Sequence, residues 1–240
     1  ANTMAYSNAD LEELVAEVNA FSPVALSVVD TFGAMYAEDL ERIVSVMDAK
    51  LDKAIGLGFH SHNNQQLSFA LTIRFIDLLE TSGRTVMVDA SLCGMGRGAG
   101  NATTELVASY LNRKKHGNYD LDAILDAIDT YMEPFQQAYT WGYSTPYFVA
   151  GLYQCHVNNI AYLQRNHRAN ARDMRNIIAS LSQAERRKYD YDLLEQRYLE
   201  NQSRHIDDED AVRALRRAFE GRTVLLVAPG RSVIDKAQSV

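Results

Sequence analysis

Ala54-Ile55-Gly56-Leu57-Gly58-Phe59-His60-Ser61-His62-Asn63 is a short apolar run that ends abruptly in polar residues. Its length and unbroken hydrophobicity suit a buried parallel strand rather than a half-exposed one. The same beat recurs at a spacing of roughly 30 residues, the length of a strand–crossover–strand unit. Upstream, Ala25-Leu26-Ser27-Val28-Val29 ends in Asp30-Thr31; downstream, Thr85-Val86-Met87-Val88 ends in Asp89-Ala90-Ser91. Helical stripes follow each run: Leu40, Ile43, Val44 and Met47; then Leu67, Leu71, Phe75, Leu78 and Leu79; then Leu106, Val107, Tyr110 and Leu111 after Asn101. Strand, loop and helix in repetition mean βα units on a parallel sheet, an α/β class. A helix over Leu11–Val18, capped by Ser7 or Asn8, opens the chain with no strand before it. Three strands cannot close a barrel and would leave sheet edges exposed. The expectation is therefore that the N-terminus is a cut through a larger fold; the chain also lacks an initiator Met.

From about Asp120 the texture becomes all-helical. Leu121, Ile124, Leu125 and Ile128 share a face, with Pro134 after them, and Pro146–Leu163 reads as one helix with proline in its first turn. Further helices are expected near Arg172–Leu181, Leu193–Leu199 and Ala211–Phe219. Thr223–Val227 then reads as a fresh strand entering the tight loop Ala228-Pro229-Gly230-Arg231-Ser232. The expected division is 1–116 for the βα part, 117–221 for a helical extension, and 222–240 for the cut-off start of a further α/β domain.

The composition, 240 residues with 47% hydrophobic and 23% charged, is that of an ordinary globular chain. No apolar run approaches the ~20 residues of a membrane span, and no signal-peptide pattern opens the chain. Two cysteines, Cys93 and Cys155, point to a reducing cytoplasm rather than a disulfide framework. Residues 1–163 carry 9 Lys and Arg against 19 Asp and Glu. Such an acidic body repels the phosphate backbone and argues against a nucleic-acid partner.

His60-Ser61-His62 is the sharpest chemical signal. Residues two apart on a strand point to one face, and the end of a parallel strand is where α/β folds place their sites. Two neutral imidazoles there suit a divalent transition metal or Mn²⁺; the plain alternative is a pair of loop histidines, one facing solvent. A hard oxygen ligand would be needed besides, and Asp30, Asp89 and Asn101 are candidates. Asp30 and Asp89 read equally well as loop caps. Asn63 and Asn64 add polar groups. The glycine-rich stretch Gly94-Met95-Gly96-Arg97-Gly98-Ala99-Gly100-Asn101 satisfies a dinucleotide fingerprint, but no second strand with a terminal acid follows it, so that reading is rejected. Glu105 reads as a first-turn carboxylate, Cys93 as a small filler and His156 as a satisfied packing residue. Tyr139, Trp141, Tyr143, Tyr147 and Tyr153 read first as packing between helices, and second as a lid or wall over the strand ends. His116, His167 and His205 carry no signal.

Taken in order, Asp30-Thr31-x-Gly33, Gly58-Phe59-His60-Ser61-His62-Asn63, and Asp89-Ala90-Ser91-x-x-Gly94-Met95-Gly96 closing on Gly100-Asn101 with Glu105, these motifs resemble the last three strands of the DRE-TIM metallolyases. That family includes hydroxymethylglutaryl-CoA lyase and 4-hydroxy-2-oxovalerate aldolase. The resemblance covers about residues 1–112. It implies the C-terminal part of a (β/α)8 TIM barrel followed by an all-helical region. It also implies a divalent cation, Mn²⁺ or Mg²⁺, held by His60, His62 and Asn101, with Thr31 near a substrate carboxylate. The implied activity is an aldolase or lyase that makes or breaks a carbon–carbon bond of a 2-oxo acid or acyl-CoA through an enolate. The partner is then a small molecule, with a homodimer compatible. The family's Asp-Arg-Glu sequence, which supplies a further metal ligand and a stabilising Arg, has no counterpart here, so this chain alone is expected to be inactive. The alternatives from other classes are a non-catalytic or regulatory barrel fused to a biosynthetic partner, and a metal-dependent hydrolase.

Overall fold

In the computed structural model, which describes residues 2–203 and 208–223, the three apolar runs form one parallel sheet in the order β1-β2-β3: Ala25–Asp30, Gly56–Ser61 and Val86–Val88. The register sets Asp30 beside Ser61 and Phe59 beside Val88. The α/β class with a parallel sheet, and helices wherever the chain is not strand or loop, is as expected from the sequence.

Each strand is followed by its helix. Helix α1 (Asn8–Phe21) starts at a capping box in which Ser7 and Asp10 satisfy each other's amides. Helices α2 (Ala37–Lys50), α3 (Ser68–Leu79) and α4 (Thr104–Lys114) complete the βα units. Their apolar stripes meet one face of the sheet, where Val28, Leu57 and Phe59 are buried with Leu11, Leu40, Ile43, Met47 and Phe75. The other face carries small residues: Ala25, Ser27, Gly56 and Gly58. A Cβ on Gly58 would stand 2.2 Å from Ser27 Oγ, so this row admits no larger side chain at that position.

Below the sheet, at the N-terminal ends of the strands, the side chain of Arg84 is fully buried. It meets the Asp48 carboxylate at 2.9 Å and donates to the carbonyls of Leu51, Asp52 and Ile55. One guanidinium thus fastens the end of α2 to the start of β3, because five donors in a rigid fork match several orphan carbonyls at once.

The later part is helical: α5 (Leu121–Ala127), a π-type turn (Ile128–Met132), α6 (Glu133–Ala138), α7 (Thr145–Leu152), α8 (Val157–His167), α9 (Ala171–Ser180), α10 (Gln183–Arg187) and α11 (Tyr191–Gln202). It has its own apolar core around Ile160, Leu163, Ile177, Ile178 and Leu194. The single helix expected over Pro146–Leu163 is in fact two. Gln154 takes a left-handed conformation (φ 50°) that ends α7, and the His156 ring accepts from the Asn158 amide to cap α8. Apolar spacing continues through the break, so periodicity does not register it. A short helix, α10, was not expected either.

The chain divides into two compact units, Ala1–Asn201 and Gln202–Val240. The second contains α12 (Glu209–Phe219), whose Val212, Leu215 and Phe219 are exposed. The strand expected at Thr223–Val227 and its loop lie, beyond Thr223, outside the described residues. Among the described residues no helix is long and apolar enough to cross a membrane.

Candidate functional site

The residues singled out for chemistry gather at the C-terminal ends of the three strands. His60 is the penultimate residue of β2, and His62 follows the strand directly. Their rings lie edge to face with centroids 5.1 Å apart. The strand repeat turns both imidazoles to one side, as two-residue spacing requires.

Asn101 comes to the same place through a backbone bridge with His62. The loop that carries it is tied down by Asn63 N donating to Gly100 O at 2.8 Å and Asn101 N donating to Gly94 O at 2.9 Å. The Asn101 amide nitrogen donates to Met95 O at 3.0 Å, which fixes the orientation of the side chain. Its oxygen, Oδ1, is buried and has no hydrogen-bond partner. A buried acceptor left unpaired costs about 1–3 kcal/mol and calls for a partner, a water or a bound cation. Gly96 leaves room for this amide: a Cβ there would stand 2.6 Å from Asn101 Nδ2.

Electrostatics favour neutral imidazole at His62. Burial first, and then the nearby His60 and Arg97, bring its pKa down to about 4. A neutral ring keeps a lone pair free for a cation. Asp89 Oδ2 lies 3.3 Å from His60 Nδ1, the position of a carboxylate that orients a metal-binding imidazole. Asp30 is a loop cap: its buried carboxylate accepts from the Ala34 and Met35 amides at 3.0 and 3.1 Å. Burial nonetheless raises its pKa to about 6. Thr31 follows it, half-buried, in the turn after β1, the strand that pairs with the one carrying the histidines.

By donor type, two imidazoles and one amide oxygen fit a divalent cation. Among the described residues no group of three His, Cys, Asp or Glu side chains could hold a metal ion, so the oxygen of Asn101 is what distinguishes this set.

Other side chains take different places from those the sequence suggested. Asn64 is a fully buried tie: Nδ2 donates to Phe32 O at 3.0 Å and Oδ1 accepts from Ala99 N at 3.0 Å. Glu105 accepts from the Cys93 amide at 3.2 Å, and Cys93 itself is left-handed (φ 53°). Trp141 lies against Phe135 of α6, ring centroids 6.2 Å apart, and its Nε1 donates to Cys93 O at 2.9 Å. With Gln66, Cys93, Asn101, Thr103 and Tyr143 it lines a cavity of about 180 Å³. Trp141 and Tyr143 thus take the wall reading, whereas Tyr147 and Tyr153 pack against the helical core. His156 is the satisfied packing residue expected. His116 lies 3.5 Å from Glu80. His167, silent in the sequence, meets Glu195 at 2.6 Å and stacks on Tyr198. His205 lies outside the described residues.

Comparison with known proteins adds three findings. The HMGL-like family model matches residues 2–130. The chain is 31% identical over 156 residues to a 4-hydroxy-2-oxovalerate aldolase of Thermomicrobium roseum, covering 61% of this chain and 42% of that protein. It is 38% identical over 101 residues to an oxaloacetate decarboxylase of Mycobacterium tuberculosis, covering 42% of this chain and 28% of the other. The chain thus spans less than half the length of these curated relatives. Among solved structures, the N-terminal domain of a candidate aldolase from Bacteroides vulgatus superposes with a TM-score of 0.57 at 27% identity, over 68% of this chain and 52% of that one. A Rhizobium etli pyruvate carboxylase shares the fold over 98% of this chain and 28% of its own, with a TM-score of 0.53 at 12% identity.

Proposed function

We propose, for a chain that belongs to the HMGL-like family, that His60, His62 and Asn101 form one side of a divalent-cation site, Mn²⁺ or Mg²⁺, in a lyase of 2-oxo acids or acyl-CoA. The observation that carries this reading is the buried, unpartnered Asn101 Oδ1 bridged to His62. A cation bound there supplies Lewis-acid polarisation of a substrate carbonyl, worth several kcal/mol.

The protein's own groups do the rest. His62 offers a neutral nitrogen, and the ring of His60 is steadied by Asp89. The Met95 carbonyl holds the Asn101 amide with its oxygen outward. Thr31, one strand away, orients the carboxylate of the 2-oxo acid. The glycine loop and Trp141 wall the site from bulk water. The reaction class is making or breaking the carbon–carbon bond next to the carbonyl. A cytoplasmic location, a small-molecule partner and a homodimer accompany this reading. We take residues 1–116 as its barrel-type part and 117–221 as the helical extension; the separate apolar cores on either side of residue 117 support the boundary.

The test is Mn²⁺ titration of the intact protein by electron paramagnetic resonance. Wild type is expected to take up one equivalent, and His62→Ala to lose it while keeping its circular dichroism. Stoichiometric Mn²⁺ in the variant would refute the assignment.

A further inference from the structure

Arg97 stands between two glycines, Gly96 and Gly98, in the loop after β3. A Cβ on Gly96 would press on the Asn101 amide at 2.6 Å, and one on Gly98 would lie 2.8 Å from Asn64 Oδ1. Both neighbours of Arg97 are therefore seated on buried amides of the site. The loop is closed by Gly100 N donating to Arg97 O at 3.1 Å and Ala99 N donating to Asn64 Oδ1. The backbone that carries the guanidinium is held in place, while the side chain is exposed. Among the described residues no hydrogen bond or ion pair engages that side chain. Arg74 pairs with Glu41, Arg84 with Asp48 and Lys114 with Asp77, whereas the side chains of Arg113 and Lys115, at the far end of α4, share with that of Arg97 the lack of a hydrogen bond or ion pair among the described residues.

The strand order gives the loop a meaning. Thr31 follows β1, the histidines end β2, and Arg97 follows β3. The three positions run in sequence across the top of the sheet, with the histidines in the middle. We propose that Arg97 determines specificity by binding a second carboxylate, at the end of the substrate away from the 2-oxo acid group, so that the substrate is a 2-oxo dicarboxylate. This rests on the reading above, in which Thr31 takes the first carboxylate and the reacting carbonyl lies near His60 and His62.

Two further facts support it. Residues 1–163 carry 9 Lys and Arg against 19 Asp and Glu, so the exposed guanidinium of Arg97, with no carboxylate partner among the described residues, is a positive charge set in an otherwise acidic stretch. Guanidinium is also the group whose fork matches a carboxylate in two parallel hydrogen bonds.

Trp141 is the single tryptophan and bonds to the base of the same loop, so its fluorescence reports binding there. Wild type, Arg97→Gln, Arg97→Lys and the exposed control Arg113→Gln would be titrated with oxaloacetate, 2-oxoglutarate and 2-oxoadipate. Each is compared with a monocarboxylic 2-oxo acid of the same chain length, with and without Mn²⁺. The best-fitting dicarboxylate is expected to bind wild type about tenfold or more tightly than its counterpart, the worth of a charge-assisted pair. Arg97→Gln should abolish that preference and leave monocarboxylate binding unchanged; Arg97→Lys should keep part of it, and Arg113→Gln all of it. An equal preference in wild type and Arg97→Gln, or none in wild type, overturns the proposal. Failure of wild type to bind Mn²⁺ overturns the cation site instead, and the metal-free titrations then decide on Arg97 alone.

Discussion

Replacing Gly96 by alanine adds one methyl group at the point where the loop touches the Asn101 side chain. That carbon would lie 2.6 Å from Nδ2, 2.9 Å from Cγ and 3.1 Å from Oδ1. Unstrained contacts of this kind sit near 3.5 Å, so the amide must withdraw by about 1 Å. Gly96 is not among the left-handed glycines; the added methyl therefore brings contact without backbone strain. The withdrawal breaks the 3.0 Å bond to Met95 O, worth about 1 kcal/mol. It also carries Oδ1 beyond the ~0.2 Å tolerance of a metal–oxygen distance. Displacing such a supporting contact weakens metal binding about 10–100-fold, or roughly 1.4–2.8 kcal/mol. Calorimetric titration with Mn²⁺ measures this directly, and a urea melt on the same sample should show the fold intact to within about 1 kcal/mol. Wild-type affinity in a folded Gly96→Ala protein would refute the role assigned to the Asn101 oxygen.

Three other outcomes are expected. Arg84→Met leaves the carbonyls of Leu51, Asp52 and Ile55 buried without their donor, and urea unfolding should show a loss of about 3 kcal/mol with unaltered Mn²⁺ binding. Burial holds the Asp30 carboxyl at about 6, so its stabilising contribution is fully present below the unfolded carboxylate range and is lost as pH rises through about 6. Urea melts at pH 7.5 and 5 should therefore show wild type gaining on Asp30→Asn by up to about 1.4 kcal/mol per pH unit below 6, and a constant gap would count against it. The comparison must be made between variants, because His62, lowered to about 4 by burial, contributes stability above its unfolded value that is lost as pH falls towards 4. Trp141→Phe keeps the ring but not the donor to Cys93 O, so amide exchange over residues 94–100 should quicken about fivefold, with helix content unchanged.

The strands were legible because a buried parallel strand writes itself as an apolar run with a polar end: β1 begins with its run at Ala25, while β2 and β3 begin at Gly56 and Val86, one or two residues inside the runs from Ala54 and Thr85. The first helix was legible through Ser7. What stayed hidden depends on contacts between distant segments. Nothing near Trp141 says that it will reach Cys93, 48 residues away. Nothing near Gln154 says that an otherwise periodic stretch turns left-handed there. At the candidate site the histidine pair and Asn101 could be singled out from type and spacing. The roles of Asn64 as a buried tie and of Gly96 as the seat of an amide became visible only with the fold.

Asn64 has a polarity that no neighbour in size reproduces. It gives a proton to one rim of the site at Phe32 and takes one from the other at Ala99. Deamidation to aspartate would turn the donating end into an acceptor and set a carboxylate against the Phe32 carbonyl, so chemical ageing of this one residue would prise the two rims apart. A glutamine next in line rather than a glycine, and a side chain sealed from solvent, both disfavour that reaction at Asn64.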